Sequence, residues 1–188
     1  MARRAFVFDP PERFVAGTIG EPGSRAFFLQ ARDGGRVVSV ALEKAQVAVL
    51  AERLGRLLLE LEQRGIAELA PAAAADDSAP LDEPLNEAFR AGTLTLGWDG
   101  DREAVLVEAR AETEVDDDPE GFEAIETLED DPDGPDILRV RMDVNVARAF
   151  VERALRIVRS GRPPCPLCGN PLDPQGHLCP RRNGQYVH

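Results

Sequence analysis

Twice along the chain a short run of apolar residues gives way to a stripe with a period of three to four. Val37 to Leu42 is a β-branched run, after which Val47, Leu50, Ala51, Leu54, Leu57, Leu58 and Leu61 recur at helical spacing. The pattern predicts a strand and then an amphipathic helix that begins at Glu43 and ends at Gly65. Ile137 to Met142 repeats the motif and leads into a helix from Asp143 to about Ser160, with Asp143 as N-cap and Gly161 with Pro163 as the stop. Each unit is preceded by a hairpin signal. Arg13 to Ile19 and Arg25 to Ala31 flank Gly20-Glu-Pro-Gly23, and Gly92 to Trp98 and Ala104 to Ala109 flank Asp99-Gly-Asp101.

Sliding the sequence by one hundred positions superposes the two strand-helix units without a gap from Val37/Ile137 to Leu58/Val158, pairing Val40 with Val140, Glu52-Arg53 with Glu152-Arg153 and Arg56 with Arg156. Upstream, Phe14-Val-Ala-Gly-Thr18 matches Phe89-Arg-Ala-Gly-Thr93 at a smaller offset. The expected fold is therefore α+β, with two tandem β-β-β-α repeats forming a mainly antiparallel sheet against which two helices pack. The first repeat spans 1–66 and the second 86–160, joined by an Ala/Pro-rich linker at 67–85, and residues 161–188 form a separate tail.

The net charge of −12 is concentrated in one place. Residues 111–136, an insert in the second repeat, hold thirteen Asp or Glu and no Lys or Arg, so the rest of the chain sums to +1. The acidity belongs to a connector and not to the whole surface. Asp116, Asp117, Asp118, Asp131 and Asp133 lack the ligand alternation, central glycine and closing glutamate of a calcium loop, and read as solvated. No apolar run approaches membrane-spanning length, and Met1 to Pro10 has too short an apolar stretch for a signal peptide.

All three cysteines lie in the tail, as Cys165-Pro-Leu-Cys168-Gly and His177-Leu-Cys179-Pro. Three thiols and a nearby imidazole suit one structural Zn2+ in a zinc knuckle, with Cys165, Cys168, His177 and Cys179 as ligands. His177 stands only two residues from Cys179, so Asp173, His188 or a partner chain remain alternatives for the fourth position. Four protein ligands leave no coordination site open for substrate, which makes such a centre a staple. Odd-numbered thiols in metal-ligand spacing fit a reducing compartment, and the expected location is cytoplasmic.

Catalytic patterns are scarce. Both histidines are in the tail and one of them is read as a metal ligand, so a Ser-His-Asp or Cys-His site has almost no base to call on, and no carboxylate pair is marked out. Arg53, Arg56, Arg153 and Arg156 recur on the two helices, but Glu52–Arg56 and Glu152–Arg156 have the spacing of ordinary i,i+4 surface pairs. Gly17-Thr18 and Gly92-Thr93 read as strand glycines at a bulge or a close contact, not as phosphate loops. Arg181 and Arg182 are too small a footprint for nucleic acid against the overall charge.

Pro11-Glu-Arg-Phe-Val-Ala-Gly-Thr18, Val37 to Lys44, Phe89 to Thr93 with Leu96-Gly-Trp-Asp99, and Gly161 to Cys168 through His177-Leu-Cys-Pro180 together resemble an uncharacterised actinobacterial signature-protein family with a Cys-Pro-Leu-Cys tail. The resemblance implies kinship with ParJ, a partner of the chromosome-partitioning ATPase ParA, and brings no catalytic residues with it. The expected function is thus a non-enzymatic binding or regulatory protein with a protein partner of the ParA type. The alternative is a small-molecule enzyme with its pocket between the two repeats.

Overall fold

A computed structural model describes residues 3–69, 77–113, 133–161, 165–169, 179 and 181, together with the backbone of 122–124. The element order is β1 (Ala5–Phe8), β2 (Arg13–Ile19), β3 (Ala26–Asp33), β4 (Arg36–Leu42), α1 (Lys44–Gln63), β5 (Glu87–Asp99), β6 (Ala104–Ala111), β7 (Phe122–Ala124), β8 (Ile137–Met142) and α2 (Val144–Arg159). The expected α+β architecture is present, as units β2-β3-β4-α1 and β5-β6-β8-α2. The strands form one sheet in the order β1-β8-β6-β5-β4-β3-β2, with β7 alongside β5. Each unit is an antiparallel meander, and the two meet where β4 runs parallel to β5.

β1 was not foreseen. Only four residues long, it pairs in parallel with β8, from Ala5↔Ile137 to Phe8↔Val140, more than a hundred residues away. It stands to the third strand of the second unit as β5 stands to β4. The sheet curls far enough for Arg36 at the start of β4 to donate to the Val7 carbonyl (3.2 Å), its guanidinium lying over the rings of Phe6 and Phe8. β7, also unforeseen, falls inside the acidic insert.

One face of the curled sheet holds the core. Alternate residues of the strands, among them Phe14, Leu29, Val40, Leu94, Val107 and Val140, meet Val47, Leu50, Leu54 and Leu58 of α1 and Ala147, Phe150 and Ala154 of α2. The helices touch one another, closely enough that a Cβ at Gly55 would lie 3.5 Å from Val151. Each also packs against the first strand of the other unit, α1 on β5 and α2 on β2. The two units therefore share a single core, and the Phe14 and Phe150 rings stack across them at 4.8 Å.

Strand register corrects one sequence expectation. Phe14 lies opposite Ala31 and Leu94 opposite Ala109, while Ala31 and Ala109 lie opposite Val38 and Leu138, the residues one hundred apart. Phe14 thus corresponds to Leu94 and not to Phe89. A register shift between Ala91 and Leu94 falls inside the Phe89-Arg-Ala-Gly-Thr93 motif, so the matched letters sit where the ladder is irregular and not at the paired positions. The bulge is tied down from α1, whose buried Gln46 amide donates to the carbonyls of Ala91 (3.1 Å) and Gly92 (3.0 Å).

From Asp77 onward the linker straps the outer face of the first unit. Gln30 and Asp82 exchange two hydrogen bonds, and Arg13 grips Asp77 (2.6 Å) and Asp82 (2.6 Å). A Cβ on Gly17 would meet Leu81 at 2.4 Å, so glycine at this strand position makes room for the strap. Arg153, read as part of an exposed helix face, is buried, and donates to the Ala16 carbonyl (2.7 Å) and to Asp77 (3.0 Å to its carboxylate). Glu152 takes Arg148 at 3.2 Å, and Arg156 reaches the Asp77 carbonyl.

Asp77 is held below the usual carboxylate range, first by its hydrogen bonds from Arg13 and then by the charges of Arg13 and Arg153, which outweigh its partial burial. A carboxyl whose proton affinity is lower in the fold than in the open chain stabilises the fold above about pH 3.9, and that contribution fades as the pH falls through its native value. Thermal unfolding followed between pH 5 and about pH 2 should therefore show Asp77→Asn less stable than wild type at the upper end, with the gap closing toward the lower. A constant gap would mean that the carboxylate charge does not matter.

Candidate metal centre

α2 ends at Arg159, with Ser160 as its C-cap, and the tail that follows brings the three cysteines together. Cys165 and Cys179 are buried and Cys168 partly so, and their Sγ atoms all lie within 4.8 Å of one another, Cys165 and Cys179 at 4.0 Å. Tetrahedral coordination at the usual Zn–S length of about 2.3 Å needs Sγ–Sγ separations of about 3.8 Å, so the trio could close on such an ion with changes in separation of about 1 Å or less. None of the three is in a disulfide.

The local chain explains the arrangement. Cys165-Pro-Leu-Cys168 is a turn closed by Gly169, whose N–H donates to the Cys165 carbonyl at 2.8 Å and whose φ of +78° is the left-handed conformation that glycine adopts without penalty. The turn points the N–H groups of Cys168 and Leu167 at the Cys165 sulfur. Those two donors, with smaller help from the neighbouring thiols, lower the Cys165 pKa against the opposing effect of burial. A thiol predisposed to ionise is what a metal ligand requires. Arg181 steadies the turn from outside through a 3.0 Å bond to the Leu167 carbonyl.

Of the four ligands expected from sequence, the structure brings together Cys165, Cys168 and Cys179. His177 lies outside the described residues, as do Asp173, His188, Arg182, and Asp116, Asp117, Asp118 and Asp131 of the acidic insert. The chemistry available is that of a three-thiolate cluster able to hold a metal ion. Sequence reading missed a second feature, a cleft between the β2–β3 turn and the ends of the two helices, lined by Arg25, Lys44 and Arg159. These residues lie far apart in the chain and carry no spacing signal.

Over residues 6–179 the chain matches the family described as "Protein of unknown function (DUF3090)". No curated protein and no solved structure matches the chain.

Proposed function

The chain belongs to that family of unknown function, and from this premise we propose that it is a non-enzymatic cytoplasmic binding or regulatory protein whose tail is fixed by one structural zinc ion. The observation that carries the zinc is the convergence of Cys165, Cys168 and Cys179. Thiolates favour zinc among the abundant divalent ions, and a bound zinc would cross-link the two cysteine segments of the tail into one unit. His177 is the fourth ligand in this reading and completes a closed centre. No helix of the described residues is long and apolar enough to cross a membrane. The partner is a protein, a ParA-type chromosome-partitioning ATPase, an assignment resting on the family resemblance of the Phe-Val-Ala-Gly-Thr, Gly-Trp-Asp and Cys-Pro-Leu-Cys segments.

Protein purified without added metal should carry about one zinc per chain by elemental analysis, and Cys168→Ser should bring the content well below half of that. An unchanged content would place the ion elsewhere. The same preparation should co-purify with ParA and alter its rate of ATP hydrolysis; neither effect being seen removes the partner assignment and leaves the zinc untouched.

A further inference from the structure

A cleft of about 520 Å³ opens where the two units meet. Its walls are the turn between β2 and β3 (Pro22, Gly23, Arg25), the first residue of α1 (Lys44) and the last turn of α2 (Ile157 to Arg159), ending at Gly161. The volume falls within the range of small-molecule sites, about 300–1,000 Å³. Its lining divides into an apolar part, Pro22, Phe27, Ile157 and Val158, and a cationic part, Arg25, Lys44 and Arg159, with no acidic residue among them.

Three like charges around one cleft are unfavourable unless something compensates them. Arg159, at the C-terminus of α2, is accounted for by the helix dipole. Lys44 is not, because it begins α1, where the dipole opposes a cation. Nor is it neutralised by its neighbour: Glu43 is turned away to Arg90 at 2.7 Å, and neither Lys44 nor Arg159 has an ion-pair partner among the described residues. Arg25 is held in place by Ser160, donating to its carbonyl (2.8 Å) and hydroxyl (3.0 Å), which leaves the other guanidinium N–H groups for a ligand. The Lys44 ammonium lies across the cleft toward Gly161, where an added Cβ would stand 3.5 Å from it.

We propose that this cleft binds a small molecule that joins phosphate groups to a flat, largely apolar body, the class that nucleotides represent. The phosphates sit among Arg25, Lys44 and Arg159, and the body packs on Phe27, Pro22, Ile157 and Val158. Residues from both units are needed, so occupancy also bridges the β2–β3 turn to the end of α2, from which the cysteine tail departs.

Calorimetric titration at low ionic strength with ADP, inorganic phosphate and adenosine tests it. ADP should bind, phosphate should bind at least about tenfold more weakly, and adenosine more weakly still. Lys44→Ala and Arg159→Ala should each weaken ADP about tenfold or more without lowering the unfolding temperature appreciably, since both side chains are exposed. Arg64→Ala, at the far end of α1, should change nothing. The proposal is overturned if ADP produces no binding, if phosphate alone binds as tightly as ADP, or if the Arg64 variant loses as much affinity as the other two.

Discussion

Phe150→Ala should cost about 3–5 kcal/mol of unfolding free energy, the range for emptying a fully buried aromatic site, and it should do so for the whole molecule at once. Phe150 is 1% exposed and stacks on Phe14 at 4.8 Å with the rings 11° from parallel. The ring sits on α2, in the second unit, but its partner is on β2, in the first. Losing it leaves a cavity and removes an aromatic contact worth about 0.5–1.5 kcal/mol beyond burial. Because α1 likewise reaches β5, neither unit can lose its helix packing while the other keeps it. Urea unfolding followed by far-ultraviolet dichroism and by the fluorescence of Trp98, in the second unit, should give coincident transitions at a lower midpoint with an unchanged slope. Two separated transitions would mean that the units fold independently, contrary to a shared core.

The strand-helix pairs were legible because their signal is local. Val37 to Leu42 and Ile137 to Met142 differ in most letters, yet each is a strand-length apolar run followed at once by a helical stripe, and the structure places the strands at Arg36–Leu42 and Ile137–Met142 and the helices at Lys44–Gln63 and Val144–Arg159. Both helices start one residue after an acidic cap position, Glu43 or Asp143, and Asp143 does accept from Asn145 and Val146 as an N-cap should. The cysteine trio was legible because ligand spacing is itself sequence information.

What stayed hidden depends on distant partners. Phe6 and Phe8 give β1 only two core-facing residues, and its existence rests on β8, which begins at Ile137. Arg153 carries the same local pattern as Arg53, and nothing nearby in sequence says that it turns inward to Ala16 and Asp77, because those contacts come from β2 and the strap. The cleft follows the same rule, since Arg25, Lys44 and Arg159 meet only when the sheet has curled and α2 has crossed to β2.

The outer face of the sheet poses the same problem to both units, and each answers it differently. Gln30 lies opposite Ser39 in the first unit and Glu108 opposite Arg139 in the second, so the two are equivalent by register, and both are buried. Gln30 is satisfied by Ser39 and by the strap at Asp82, all neutral groups at that point. Glu108, with no exposed surface, is instead clamped between Arg110 (2.9 Å) and Arg139 (2.7 Å). Removing the carboxylate leaves guanidinium groups facing a void, so Glu108→Ala should destabilise by about 3 kcal/mol, the lower end for a broken buried pair because Arg110 is partly hydrated. Glu108→Gln keeps the shape and one acceptor and should cost about 1–2 kcal/mol. If the loss comes from orphaned cations and not from the missing carboxylate itself, converting Glu108, Arg110 and Arg139 together to Leu, Leu and Met should recover most of it, since a buried ion cluster replaced whole by apolar side chains is close to neutral. Equal losses in the single and the triple variant, read from urea midpoints, would show instead that the carboxylate holds β6 to β8 through contacts that packing cannot replace.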